Sequence, residues 1–149
     1  MPDLNNLYQR VILDHNRNPR NFYRPERSNR MAKGYNPVCG DQVTIFVQSE
    51  NDVLCDIGFQ GSGCAISKAS ASLMTEAVKG KSRAEAQETF ETLCKMLTEP
   101  ASTGIELFEP PALNSLSGVR KFPVRIKCAL LPWQTLMAAL EQRDVELVE

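Results

Sequence analysis

The sequence predicts an α+β domain, and three observations predict it. Two segments alternate apolar and polar residues with period two, one at Val43, Ile45 and Val47, the other at Val53, Cys55, Ile57 and Phe59. Asn51-Asp52 stands between them as a hairpin turn. Helical apolar spacing fills the chain before this pair and most of the chain after it. At 149 residues, 1–149 reads as one domain.

The first helix is predicted over about 4–16, capped by Asp3, with Leu4, Leu7, Tyr8, Val11 and Ile12 as its apolar stripe. Asn18-Pro19 ends it. His15, the only histidine, falls at its C-terminal end and reads as a surface residue where a cation is welcome. Residues 22–35 read as a polar, basic loop leading into a short strand near Met31–Lys33. In the second period-two strand Cys55 is in phase with the apolar residues and is expected to be buried as a small hydrophobe.

Gln60-Gly61-Ser62-Gly63 closes that strand, and a helix follows from about Ala65 to Lys79, stopped by Gly80. Its small residues, Ala65 to Ser72, permit close packing on neighbouring backbone. Ser82-Arg83-Ala84-Glu85 is a capping-box pattern opening another helix to about Leu97, with Cys94 expected in its packed face. Residues 99–118, with Pro100, Gly104, Pro110, Pro111 and Gly118, read as a long irregular connection anchored by apolar residues. A last helix is predicted from Val124 or Arg125 to Gln142, with Pro132 as a kink or boundary. The charged tail 143–149 is expected to fray.

Composition narrows the function. Hydrophobic residues are 42%, charged residues 23% and the net charge is −1, so nothing draws the chain to nucleic acid or an anionic membrane. No apolar run approaches the ~20 residues of a membrane span. The start, Met1-Pro2-Asp3-Leu4-Asn5, lacks a basic-then-apolar signal pattern, which leads us to expect a cytoplasmic protein. Five cysteines, an odd number, then point to metal binding or thiol chemistry rather than a disulfide framework.

Three cysteines stand in related settings. Cys39 lies in Asn36-Pro37-Val38-Cys39-Gly40-Asp41, Cys64 in Gly61-Ser62-Gly63-Cys64-Ala65-Ile66-Ser67, and Cys128 in Arg125-Ile126-Lys127-Cys128-Ala129. Cys64 falls at a helix N-terminus, where free N–H groups and the dipole favour a thiolate. Glycine beside Cys39 and Cys64 lets backbone approach a ligand. Cys39, Asp41, Cys64 and Cys128 are therefore candidate ligands of one metal. On spacing alone the alternative stays open that three cysteines merely lie at element ends. Three thiolates and a carboxylate would carry −4 against a +2 ion, and Arg125 or Lys127 could balance the surplus.

Together the three motifs resemble the family of IscU, NifU and SufU proteins of iron–sulfur assembly. Leu7-Tyr8 and Asp14-His15-Asn16-Arg17-Asn18-Pro19-Arg20-Asn21 fit the same family. The resemblance implies a three-stranded antiparallel sheet with helices packed on it, and a meeting of Cys39, Asp41, Cys64 and Cys128 at one exposed end. Two details are similar to the SufU branch. Lys127 stands where scaffold-type IscU proteins carry a histidine, and 99–118 matches a SufU-type insertion. The chaperone motif of IscU is altered to Lys121-Phe122-Pro123-Val124-Arg125.

This resemblance implies a zinc-dependent sulfurtransferase. Cys39 would accept persulfide sulfur from a SufS-type cysteine desulfurase, a partner side chain taking its place on Zn2+. Asp41 would keep the site labile, Arg125 would steer or balance charge, and a SufBCD-type scaffold would receive the sulfur. The alternative is an IscU-like scaffold that builds a [2Fe-2S] cluster on the same four residues and hands it on.

Overall fold

The structure is a computed structural model that describes residues 4–99, 111–141 and 145–146. Helix α1 is Leu4–Arg17. Strands β1 (Arg30–Asn36), β2 (Asp41–Glu50) and β3 (Val53–Ser62) form an antiparallel meander in the order β3-β2-β1. Helices α2 (Ala65–Val78) and α3 (Arg83–Thr98) follow. A 3-10 segment, Pro111–Lys121, leads into α4 (Pro123–Glu141). The three-stranded antiparallel sheet with helices packed on it is thus present. The tail departs from its expected fraying, because Val145–Glu146 (β4) pairs in parallel with Gly34 and Tyr35 of β1.

Val43, Ile45 and Val47 of β2 point inward and are buried, as their period demands. Asn51 and Asp52 both take positive φ, +53° and +60°, the twist that a two-residue hairpin needs. Cys55 departs from expectation, because it is exposed. Val47 faces Ile57 and Gln48 faces Asp56, but Ser49 faces Leu54, so Cys55 is the extra residue of a bulge. The bulge inverts the phase before it, and Leu54 takes the buried position instead.

The core lies between the sheet and helices α2 and α4. Helix α2 is buried on nearly every side, sandwiched by α1, α4 and β3, and its alanines and serines make that closeness possible. Ser70 ties it to α4: its hydroxyl donates to Ala129 O at 2.6 Å and accepts from Trp133 Nε1 at 3.1 Å. Pro132 sits within α4 and is buried; it lacks the N–H that would meet the Cys128 carbonyl one turn earlier.

His15 also departs from expectation. It is 4% exposed, with Nδ1 2.7 Å from Ser72 Oγ on α2. Helix α1 turns this end toward α2, where Ser72 Oγ also accepts the Arg20 N–H at 2.8 Å. Burial is the first cause that lowers the histidine's pKa from 6.5; Arg20 lowers it further, while Glu76 and Asp14 raise it. The α1 stripe is described only at Val11 and Ile12, where Ile12 is buried. The side chains of Leu4, Leu7 and Tyr8 lie outside the described residues.

The expected capping box is present: Ser82 Oγ accepts from Glu85 N and Glu85 Oε1 accepts from Ser82 N, both at 3.0 Å. Cys94 packs half-buried against the core, as expected. Of the stretch 99–118, residues 100–110 lie outside the described residues. The remainder, expected to be irregular, is the 3-10 segment, which buries Leu113 and Leu116. No helix among the described residues is long and apolar enough to cross a membrane.

Candidate functional site

Four elements end at one place. Cys39 lies in the β1–β2 turn, Asp41 opens β2, Cys64 caps α2, and Cys128 sits in the second turn of α4. The Cys39 turn is closed by Gly40 N donating to Asn36 O at 2.8 Å and Val38 N donating to Asn36 Oδ1 at 3.2 Å. Gly40 takes φ +72°, which turns the chain back into β2 with little strain.

Asp41 is fully buried. Its Oδ1 accepts the Cys64 N–H at 2.8 Å, and Oδ2 lies 3.9 Å from Cys64 Sγ. The approach depends on Gly63. A Cβ there would lie 2.5 Å from Asp41 Oδ1, and the backbone takes φ +154°. The glycine beside Cys64 thus makes room for the carboxylate.

One ligand atom each from Cys39, Asp41 and Cys128 lies within 4.8 Å of the other two. The Cys128 thiol faces Cys39 with Sγ–Sγ at 3.1 Å. Cys64 stands outside this group of three; its sulfur caps its own helix, accepting from Ser67 N at 3.4 Å. Arg125 brings Nη1 to 3.9 Å from Cys39 Sγ. Lys127 is exposed while Cys128, the next residue of α4, is buried.

The thiols share protons unequally. Cys64 is pulled down to about 6, first by the hydrogen bond from Cys128 and then by backbone N–H groups of Ser67 and Ile66; burial and Asp41 oppose the shift. Cys128 moves up, first because it gives that hydrogen bond, then through burial and its contacts with Asp41 and Cys39. Arg125 is held more firmly in its charged form, first by its hydrogen bond to Cys128 and then by the charge of Cys64, while burial opposes the shift.

The donor set fits a soft divalent ion. Zinc takes tetrahedral sulfur and oxygen ligands, and one ligand atom each from Cys39, Asp41 and Cys128 already lies within 4.8 Å of the other two. A fully buried carboxylate beside cysteines is also costly unless a positive charge or donors compensate it. Cys55 and Cys94 are not among the grouped donors.

Outside the cluster an open groove of about 600 Å³ is lined by Val38, Cys39, Lys121, Phe122, Pro123, Val124 and Arg125. Val38, Phe122 and Val124 are 52%, 49% and 63% exposed, an apolar surface beside Cys39. Sequence reasoning missed two features. One is this apolar rim, whose residues carry no periodic signal. The other is Asn36, whose side chain holds the turn and also donates from Nδ2 to Cys128 Sγ at 3.8 Å. An Asn before a Pro-Gly turn was its only signal.

Thiols and a buried carboxylate gathered at the open end of an α+β sandwich are the equipment of a protein that handles soft metals or sulfur. Residues 7–129 match the NifU-like N terminal domain family. The chain belongs to that family, which takes in the SufU and IscU proteins of iron–sulfur cluster assembly. It is 38% identical to the zinc-dependent sulfurtransferase SufU of Bacillus subtilis, covering 95% of each chain. It is 39% identical to the iron–sulfur cluster assembly scaffold protein IscU of Streptococcus pyogenes, covering 93% of this chain and 86% of that one. A crystal structure from Fervidobacterium islandicum, provisionally assigned as an assembly scaffold protein for the SUF system, superposes with a TM-score of 0.77. It is 35% identical and covers 90% of this chain and 96% of that one. The two curated relatives are equally near, so identity does not separate the SufU from the IscU branch.

Proposed function

We propose that the protein is a zinc-dependent sulfur carrier that takes persulfide sulfur from a SufS-type cysteine desulfurase, with Cys39 as acceptor. The observation that carries this reading is the position of Cys39. It is half-buried on a turn, faces an open groove, and has Arg125 Nη1 3.9 Å from its sulfur. Cys64 and Cys128 are set behind it on helices α2 and α4.

In this reading Cys39, Asp41, Cys64 and Cys128 hold the ion. Zinc, when bound, keeps its sulfur ligands deprotonated at neutral pH and brings no redox chemistry of its own. The Arg125 guanidinium stabilises the Cys39 thiolate and would attract an anionic persulfide. That thiolate attacks the outer sulfur of the donor's persulfide. A new S–S bond forms on Cys39, the donor's S–S bond breaks, and its cysteine leaves as a thiolate; nothing is oxidised or reduced overall. The apolar rim of Val38, Phe122 and Val124 gives the desulfurase a surface to cover. A SufBCD-type scaffold is the natural downstream acceptor.

Similarity to IscU favours a second reading, in which a [2Fe-2S] cluster is built on these residues and handed on as cargo. Lys127 weighs against it, since it stands exposed on α4 at the position where scaffold-type IscU proteins carry a histidine.

The test is alanine formation from cysteine by a SufS-type desulfurase with zinc-loaded protein and no iron. We expect saturable stimulation that vanishes in Cys39→Ala. An unstimulated desulfurase sinks the sulfur-carrier reading.

A further inference from the structure

The Asn36 side chain touches both the Cys39 turn and the Cys128 sulfur. It is 1% exposed and stands opposite Asp41 in the last rung of the β1–β2 ladder. Its Oδ1 accepts the Val38 N–H at 3.2 Å and its main-chain oxygen accepts the Gly40 N–H at 2.8 Å, so the residue brackets Cys39 on both sides. Its Nδ2 donates to Cys128 Sγ at 3.8 Å, across to α4. A buried carboxamide needs partners for both ends. Here the acceptor end is used by the turn that carries one candidate ligand, and the donor end by the sulfur of another.

We infer that Asn36 is a positioning residue that holds the Cys39 turn and the Cys128 sulfur in register as ligands of one ion; this rests on reading those cysteines as metal ligands. The chemistry demands a carboxamide. Aspartate keeps the acceptor for Val38 N but has no donor for sulfur when ionised, and adds charge beside Cys128. Serine can accept from Val38 N in a short turn but does not reach Cys128. Either change spares the turn and removes the N–H···S bond.

The experiment measures zinc affinity by competition with a chromophoric chelator for wild type, Asn36→Asp and Asn36→Ser, beside the melting temperature of each metal-free protein. Partners that orient metal ligands are worth about 10- to 100-fold in affinity, and that loss is expected in both variants. With Co2+ in place of zinc, the sulfur-to-metal charge-transfer band should shift in both. A purely structural asparagine would lower the melting temperature and leave affinity and spectrum alone, and that pattern overturns the inference. The wild type is also followed by NMR, a measurement that does not depend on a variant folding. The Asn36 side-chain amide protons should resist exchange and shift when zinc is added; free exchange and no shift overturn the inference. Failure of wild type to bind zinc overturns the metal reading itself, a result separable from wild-type affinity in the variants.

Discussion

The Asp41 carboxylate accepts the main-chain N–H of Cys64 at 2.8 Å, joining the start of β2 to the N-terminus of α2. One oxygen therefore serves the fold, and the other, 3.9 Å from Cys64 Sγ, is turned to the cysteines. These roles can be separated by substitution. Asp41→Ala leaves a partly buried N–H without its acceptor and should lower stability by about 1–3 kcal/mol. Asp41→Asn keeps an acceptor and should recover most of that loss. Both should change the rate at which a chelator removes zinc, because both remove the anionic oxygen. Denaturant melts and chelator kinetics on the two variants check this. Equal stability losses would mean that the hydrogen bond to Cys64 carries little.

Two glycines of the site should respond differently to alanine. At Gly40, φ +72° is strained for alanine, but a Cβ would meet nothing within 4 Å. Strain alone costs about 1–3 kcal/mol. At Gly63 a Cβ would add a collision with the buried Asp41 carboxylate, 2.5 Å away. Gly63→Ala should therefore destabilise more than Gly40→Ala and should also weaken zinc binding, as urea titration and chelator competition would show. The reverse order would count against the contact between Gly63 and Asp41.

The turns and caps around the candidate site and at α3 were legible in the sequence because their parts are local. Turn residues around Cys39, small residues before Cys64 and the capping box at Ser82 each act within a few positions. What was not legible depends on tertiary neighbours. Period two predicts a buried Cys55 only while the β2–β3 register is unbroken, and the bulge that breaks it leaves no mark in either strand alone. His15 reads as a helix-end surface residue because Ser72, its partner, is 57 positions away. The pairing of β4 with β1 is equally remote from the pattern of the charged tail.

His15 makes stability depend on pH. Its native pKa lies below 6.5, first because burial disfavours the cation; Arg20 adds to this, and Glu76 and Asp14 oppose it. As pH falls, the unfolded chain takes up this proton before the native protein does. The stability tied to a neutral His15 is thus complete above the unfolded value and is lost as pH drops from about 6.5 toward the native value. In the metal-free protein, His15→Gln should remove that part of the slope between pH 7 and 5. The glutamine can still meet Ser72. Identical slopes in the two proteins would show that His15 titrates alike folded and unfolded.

Exposure separates the five cysteines chemically. Cys55 is exposed, and Cys94 is half-buried with its pKa raised by burial and then by Glu91. In the zinc-loaded protein, iodoacetamide should label Cys55 first and Cys94 slowly, while Cys39, Cys64 and Cys128 stay protected until a chelator is added. Peptide mass spectrometry over a time course checks the order. Cys55→Ser should change stability by no more than about 0.5 kcal/mol, because the position is exposed and a serine hydroxyl can still donate to Val53 O, which Cys55 Sγ meets at 3.7 Å. Fast labelling of Cys39 with zinc present would mean that it is not a ligand in the resting protein.

Cys128 should be the most damaging cysteine to lose. Its side chain is fully buried, it receives Asn36 Nδ2, and its sulfur faces Cys39 at 3.1 Å. It also lies where Ser70 bonds α2 to the next residue of α4, so a metal bound there would reinforce a contact between two core helices. A structural zinc site can contribute on the order of 10 kcal/mol to folding, and losing one of its ligands forfeits much of that. Cys128→Ala and Cys64→Ala should both lose zinc and melt well below the zinc-loaded wild type. Their melting temperatures should no longer respond to added zinc or chelator. Cys94→Ala, by contrast, should keep its zinc and lose only packing energy. Calorimetry with and without chelator measures all three, and a zinc-dependent melting temperature in Cys128→Ala would remove that residue from the ligand set.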